Sequence, residues 1–316
     1  MTASVTVWPS VSQTVEAAGI CARDSGGSNV DFPRGGERWL SNAGTKLSTS
    51  ATFGGGTYVY WACIKAHDSW IAAGDQRSFT VAPGYKREDL PVGDLPGWKQ
   101  VFTEDFLTPV ARGGFPGPYA DKWVSYHGFS DTSGRGYYDQ SIISAHDGVL
   151  DLNLHTENGR PLGAAPLPKV DGPGQTYGRY SVRMKSDPLP GFGLGFIMWS
   201  DAENWGDGEI DFPEGGLDDV AQGFNHCVGL HPERNCYIMP RATTDYTGWH
   251  TYTTEWRPSS VKFFIDGVLV GSTWNNVPSR PMHWVMQVAT DGGRLPDPAA
   301  NGHLLINWVS IYKYAP

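Results

Sequence analysis

The chain has 316 residues, including 40 Gly, 23 Pro and 13 Trp, and only 18% of its side chains are charged. With 40% hydrophobic residues and about a fifth of the chain Gly or Pro, it is neither a disordered polymer nor a coiled coil or helical bundle. A net charge of −9 argues against nucleic acid or an anionic membrane as its partner.

The first eight residues, Met1–Trp8, show no basic segment followed by an apolar one, so no signal peptide is expected in the sequence as it stands. Residues 1–83 contain strand-like pieces at Ser4–Trp8, Thr57–Ala62 and Ser78–Ala82. Cys21, Trp39 and Cys63 follow the Cys…Trp…Cys order of an immunoglobulin-like sandwich, in which a disulfide spans two sheets beside a Trp. Trp61 holds the place where such domains keep a Tyr. This module reads as a spacer in preference to a sugar-binding or cell-surface-binding unit. Residues 84–97 are rich in Pro, Gly and charge without apolar periodicity, the composition of a linker.

Residues 98–316 continue in strands. Val149–Leu154 alternates apolar and polar side chains, and Tyr177–Lys185, Val261–Gly267 and Leu304–Tyr312 read as further strands. Asp266-Gly267, between two apolar runs, predicts a type I′ hairpin turn. The apolar run around Phe192–Trp199 is far shorter than the ~18 residues of a membrane helix, so no membrane insertion is expected. The four cysteines predict two local disulfides, Cys21–Cys63 and Cys227–Cys236, and with them an extracellular setting, secreted or within an exported or virion particle. His226 and His231 beside Cys227 and Cys236 leave a zinc site as the alternative, without the paired CxxC spacing that such sites favour.

The chemistry concentrates in Gly208-Glu209-Ile210-Asp211-Phe212-Pro213-Glu214-Gly215. On a strand, Glu209 and Asp211 share a face, whereas Glu214 falls on the opposite one. One extra residue, a β-bulge, returns Glu214 to the shared face, and Pro213 sits where proline is tolerated in a sheet. Glu209 and Glu214 are then roughly 13 Å apart along the backbone at ~3.3 Å per residue. Leaning inwards, their carboxyl groups approach within about 5–6 Å, near the ~5–5.5 Å of a retaining glycosidase. Three carboxylates on one face cannot all ionise cheaply, so one should keep a proton and serve as the acid. The plainer alternative is an acidic strand facing solvent or holding calcium.

The segment resembles the Glu-x-Asp-x-x-Glu signature of glycoside hydrolase family 16 in its bulge-containing, laminarinase- and agarase-like form. Further similarities run in order over residues 97–316: Val101–Phe106 with Lys122-Trp123, Tyr177–Lys185 followed by Gly195–Trp199, Trp249–Trp256 with Phe264–Gly267, Pro281–Gln287 and Trp308–Tyr312. The resemblance implies an all-β fold, a concanavalin-like β-jelly-roll sandwich with a concave sugar-binding cleft. It implies Glu209 as nucleophile, Asp211 as its assistant and Glu214 as general acid/base. It places Trp199 against the sugar at the cleavage point and makes Trp205, His226 and Gln287 further substrate-binding candidates. Trp256 and Trp308 are expected in the core. Gln287 replaces an Asn usual in its strand, and Asn307 replaces an Asp that often binds calcium, so a calcium site is not carried over.

The expectation is therefore a monomeric, retaining endo-glycosidase acting on a polysaccharide, a β-linked glucan or galactan, without metal or cofactor. A non-catalytic carbohydrate-binding or adhesion protein, such as a virion tail component, is the alternative. Polysaccharide lyase chemistry is disfavoured, because it calls for a Tyr/His base and basic residues around an acidic sugar.

Overall fold

The computed structural model describes residues 2–24, 26–33, 35–51, 56–81, 90–170, 174–229 and 234–316. The chain forms two compact units, Met1–Arg87 and Glu88–Pro316. Among the described residues, no helix is long and apolar enough to cross a membrane.

In the first unit, Thr2–Val7 pairs with Thr45–Ser50 and Gln13–Val15 with Arg38–Leu40, while Ala17–Asp24, Gly56–Ala66 and Ser69–Val81 form a three-stranded sheet. Val5, Val15, Ile20, Leu40, Tyr60, Ala62 and Ile64 make its core. The Cys21–Cys63 disulfide forms as expected. It does not span two sheets, however. Gly19 lies opposite Cys63 and Cys21 opposite Trp61, so the bond joins diagonal positions on neighbouring strands of one sheet. Cys21 alternates with the core residues Ile20 and Ala22 and therefore faces outwards, where it packs with Cys63 and Trp61. Trp39, the expected intersheet Trp, is 59% exposed. The order Cys…Trp…Cys carries no information about which strands pair, and the pairing removes this hallmark of the immunoglobulin arrangement.

Residues 84–89 of the expected linker lie outside the described residues. The following stretch is tied to the second unit by one side chain. Gln100 donates to the Pro91 carbonyl at 2.7 Å and accepts from the Gly93 N–H at 2.7 Å. Its own N–H donates to Asp94 Oδ1 at 2.8 Å.

The second unit is a jelly-roll sandwich of two sheets. Among the described residues the larger has eleven strands. Its main path runs Phe129–Ser130, Tyr137–Tyr138, Arg160–Gly163, Val149–Glu157, Asn301–Tyr314, Gly178–Ser186, His250–Arg257, Ser260–Ile265, Val268–Thr273. The smaller has five, in the order Asn235–Ile238, Gln222–His226, Glu209–Gly216, Phe192–Ser200, Met282–Thr290. The expected alternation decides the faces: Leu150, Leu152 and Leu154 enter the core, while Asp151 and Asn153 turn away from it. From the smaller sheet Phe192, Leu194, Phe196 and Met198 meet them, with Trp256 fully buried among them and Trp308 buried as well. Asp266 and Gly267 both adopt positive φ, 50° and 78°, between the paired Ile265 and Val268, as the type I′ turn requires.

Candidate active site

The smaller sheet presents its other face to solvent, and the register across it sets the site. Ile197 and Trp199 alternate with the core residues Phe196 and Met198, so they lie on the open face; Glu209 and Asp211 do the same around Ile210. Glu209 lies opposite His226, and Asp211 opposite Phe224 on one side and Ile197 on the other. Glu214 lies opposite Gln222 and Gly195, and Gly195 in turn opposite Gln287.

Between Asp211 and Glu214 the register shifts against both neighbouring strands. The motif strand advances from 211 to 214 while its partners advance only from 197 to 195 and from 224 to 222. One residue is extra, and Phe212 is spent on the core, stacked on Phe263 with ring centroids 4.9 Å apart. Glu214 thereby returns to the face of Glu209 and Asp211. The Phe212–Pro213 peptide is cis.

Glu209 and Asp211 are buried and Glu214 half-buried. His226 Nε2 stands 2.6 Å from Asp211 Oδ2. Burial, with the Asp211 charge adding to it, pushes the Glu209 carboxyl up to about 9. Asp211 is raised well above its ordinary value by burial and by Glu214. Glu214 is pushed up to about 7, chiefly by burial, with His226 pulling the other way. The cluster therefore shares protons at neutral pH, and its steps belong to the group of carboxyls together. Glu209 Oε2, Asp211 Oδ1 and His226 Nδ1 are buried with no hydrogen-bond partner among the described residues. Such orphaned atoms in an open face are free for a ligand.

Glu209, Asp211 and His226 also bring ligand atoms within 4.8 Å of one another, the geometry of a possible cation site. Occupation by a cation would compete with the short His226–Asp211 contact and with the protons that burial favours. Cys227 and Cys236 are joined in the expected disulfide, and of the other residues that offered an alternative zinc site His231 lies outside the described residues. Asn307, the residue in place of a calcium-binding Asp, donates its amide to the Gly148 carbonyl at 3.1 Å.

The candidate sugar platforms lie at the Glu209 end. Trp199 donates to Glu203 Oε2 at 2.7 Å and meets Trp205 edge-on, with ring centroids 4.5 Å apart. Trp205, 44% exposed, stands on a short 3₁₀ turn, Trp205–Asp207, capped by Asn204. At the Glu214 end, Gln287 Oε1 accepts from the Tyr138 hydroxyl at 2.9 Å and from Thr132 Oγ1 at 3.2 Å. Gln287, Glu214, Gly193 and Gly195 line a hollow of about 310 Å³. A larger cavity of about 720 Å³ lies off this row, beside Leu167, Tyr180 and Met282, and includes none of the three carboxyls. Sequence reasoning missed Glu203, Tyr138 and Thr132. Each reaches the site from a loop or a strand of the other sheet, and nothing local in the sequence signals that approach.

A carboxylate strand across the open face of a β-sandwich provides the paired carboxyl groups that a glycoside hydrolase uses. Residues 172–310 match the family model "Glycosyl hydrolases family 16". The chain is 27% identical over 257 residues to a beta-glucanase of Rhodothermus marinus, covering 69% of this chain and 86% of that one. To a beta-glucanase of Paenibacillus polymyxa it is 29% identical over 147 residues, which is 45% of this chain and 58% of the relative, less than two thirds of its length. The laminarinase from Rhodothermus marinus, a solved structure, superposes with a TM-score of 0.59 at 25% identity, over 70% of this chain and all of that one.

Proposed function

We propose that the protein is a retaining endo-glycosidase that hydrolyses a β-linked polysaccharide by double displacement, with β-glucan the foremost substrate and galactan the second. The β-glucanase relatives support the choice of glucan. The observation that carries the reading is the one-residue bulge that sets Glu214 on the face of Glu209 and Asp211.

In the first step Glu209 attacks the anomeric carbon as the glycosidic C–O bond breaks, and Glu214 gives its proton to the departing oxygen. A covalent glycosyl–Glu209 ester results. In the second step Glu214 takes a proton from water, the water oxygen attacks the same carbon, and Glu209 leaves as a carboxylate. Glu209 has to be ionised before it attacks; Asp211 beside it, coupled to His226, can hold the proton. Trp199 and Trp205 offer indole faces to the apolar C–H face of a pyranose. Gln287 offers its amide N–H₂ to a sugar oxygen, because two hydroxyl donors already occupy its Oε1.

We further assign residues 1–83 to an accessory module, 84–97 to its connection and 98–316 to the hydrolase. An extracellular monomer suits the two disulfides. The test is product analysis on laminarin, mixed-linkage glucan, agarose and carrageenan, with Glu209→Gln and Glu214→Gln beside the wild type. Oligosaccharides should appear from a glucan with retained β configuration, and both variants should lose about 10²–10⁴-fold or more in rate. Full activity in either variant, or binding without any chain cleavage, would refute the assignment.

A further inference from the structure

The small unit carries an aromatic pocket that the hydrolase reading leaves unused. Trp8 follows the Thr2–Val7 strand and is 68% exposed, yet its ring has a fixed seat. It lies against Gly44, where a Cβ would come within 2.6 Å of the indole Nε1. Gly44 has a φ of 104°, so both its conformation and its missing side chain serve this contact. The indole thus rests on backbone with its remaining surface turned to solvent and to a pocket of about 400 Å³. Ile64 and Ile71 form the pocket wall, and Ile71 is 52% exposed although it faces the core side of its sheet. Leaving large apolar groups in water forgoes burial worth several times the thermal energy, and nothing in the fold of this unit requires it.

Around the rim stand Gln13, Asp75 and Arg77. Their side chains are planar, hydrogen-bonding groups without a partner in this unit among the described residues. An amide, a carboxylate and a guanidinium together match the alternating donors and acceptors of vicinal sugar hydroxyls. The opposite charges of Asp75 and Arg77 offset each other, which suits a neutral ligand over an acidic one.

We infer that the Trp8 pocket binds a segment of neutral β-linked polysaccharide, with the Trp8 ring against a pyranose and Gln13, Asp75 and Arg77 on its hydroxyls. The identity of the polymer rests on the proposed function, since a tethered second site raises avidity when both sites meet the same chain. The test uses the full chain with Glu209→Gln, so that the polymer stays intact, and measures retention on an insoluble β-1,3-glucan. Adding Trp8→Ala should weaken retention about tenfold, equivalent to about 1.4 kcal/mol. Trp39→Ala, which removes an exposed Trp outside the pocket, should leave retention unchanged. In the active chain, Trp8→Ala should leave hydrolysis of a short soluble oligosaccharide unchanged. Undiminished retention in Trp8→Ala overturns the proposal, as does an equal loss in Trp39→Ala. Should Trp8→Ala unfold the unit, Asp75→Ala and Arg77→Ala carry the same expectation, and full retention in both overturns it. A wild-type chain that cleaves no glucan would instead overturn the proposed function, while retention still reports on the pocket.

Discussion

Glu214 sits where burial and charge are in contest. Burial lifts its pKa to about 7, with Glu209 adding to the lift and His226 opposing it. The pKa is raised, so the carboxyl keeps its proton below that value and loses it above. A general acid must hold a proton at the start of the reaction. Glu209, raised to about 9, must by contrast lose its proton before it attacks, so kcat/KM should pass through a maximum between about pH 7 and about 9 and fall on the alkaline side. In Glu214→Gln that alkaline limb should vanish, and the loss of rate should shrink for a leaving group that needs no proton. A limb that persists in Glu214→Gln would assign it to another group. Glu209, lifted further by burial and by Asp211, shows the cost of gathering three carboxyls in a half-dry site. His226 stands close enough to touch Asp211.

The Glu209–Gly216 strand combines two tasks through its bulge. It delivers Ile210 and Phe212 to the core and three carboxyls to the open face, because the bulge absorbs the extra residue between Asp211 and Glu214. Deletion of Pro213 should remove the extra residue and straighten the register while Glu214, then two positions beyond Asp211, stays on the open face. Hydrolysis should therefore persist, in contrast to the loss of about 10²–10⁴-fold expected when the general acid/base itself is removed. A Pro213-deleted chain that folds but loses hydrolysis to the extent of Glu214→Gln would show that the bulge itself positions the acid. Pro213 itself was the sequence signal for the bulge. The Phe212 side chain, buried against Phe263, is the tertiary contact that holds the shift in place.

For the whole molecule, the two units differ in what stabilises them. The larger has a continuous core between two sheets, whereas the smaller has short strands and one disulfide closing a loop with a sequence separation of 42. By the chain-entropy relation a loop of that size is worth about 4 kcal/mol. Replacing Cys21 and Cys63 by Ser should lower the stability of the small unit by about 2–4 kcal/mol, read by denaturant unfolding. Hydrolysis of short soluble oligosaccharides should be untouched, because every candidate catalytic residue lies in the other unit. An equal loss of that activity would show that the hydrolase depends on the small unit.

Strand-forming character, the outward turn of Asp151 and Asn153, the Asp266-Gly267 hairpin and the carboxylate motif with its bulge were all legible in the sequence. Each rests on spacing along one segment, and the two-residue period of a strand carries such information directly. What tertiary structure alone decided lies between segments. Cys21 and Cys63 became neighbours in one sheet because of strand pairing, which no order of Cys and Trp encodes. Tyr138 and Thr132 reached Gln287 from a loop and a strand placed by packing. The protonation of the site followed the same division: the sequence determined that three carboxyls would compete, and burial beside His226 decided how strongly. Spacing sets which way a side chain points, while the fold sets what it meets and how much water is left around it.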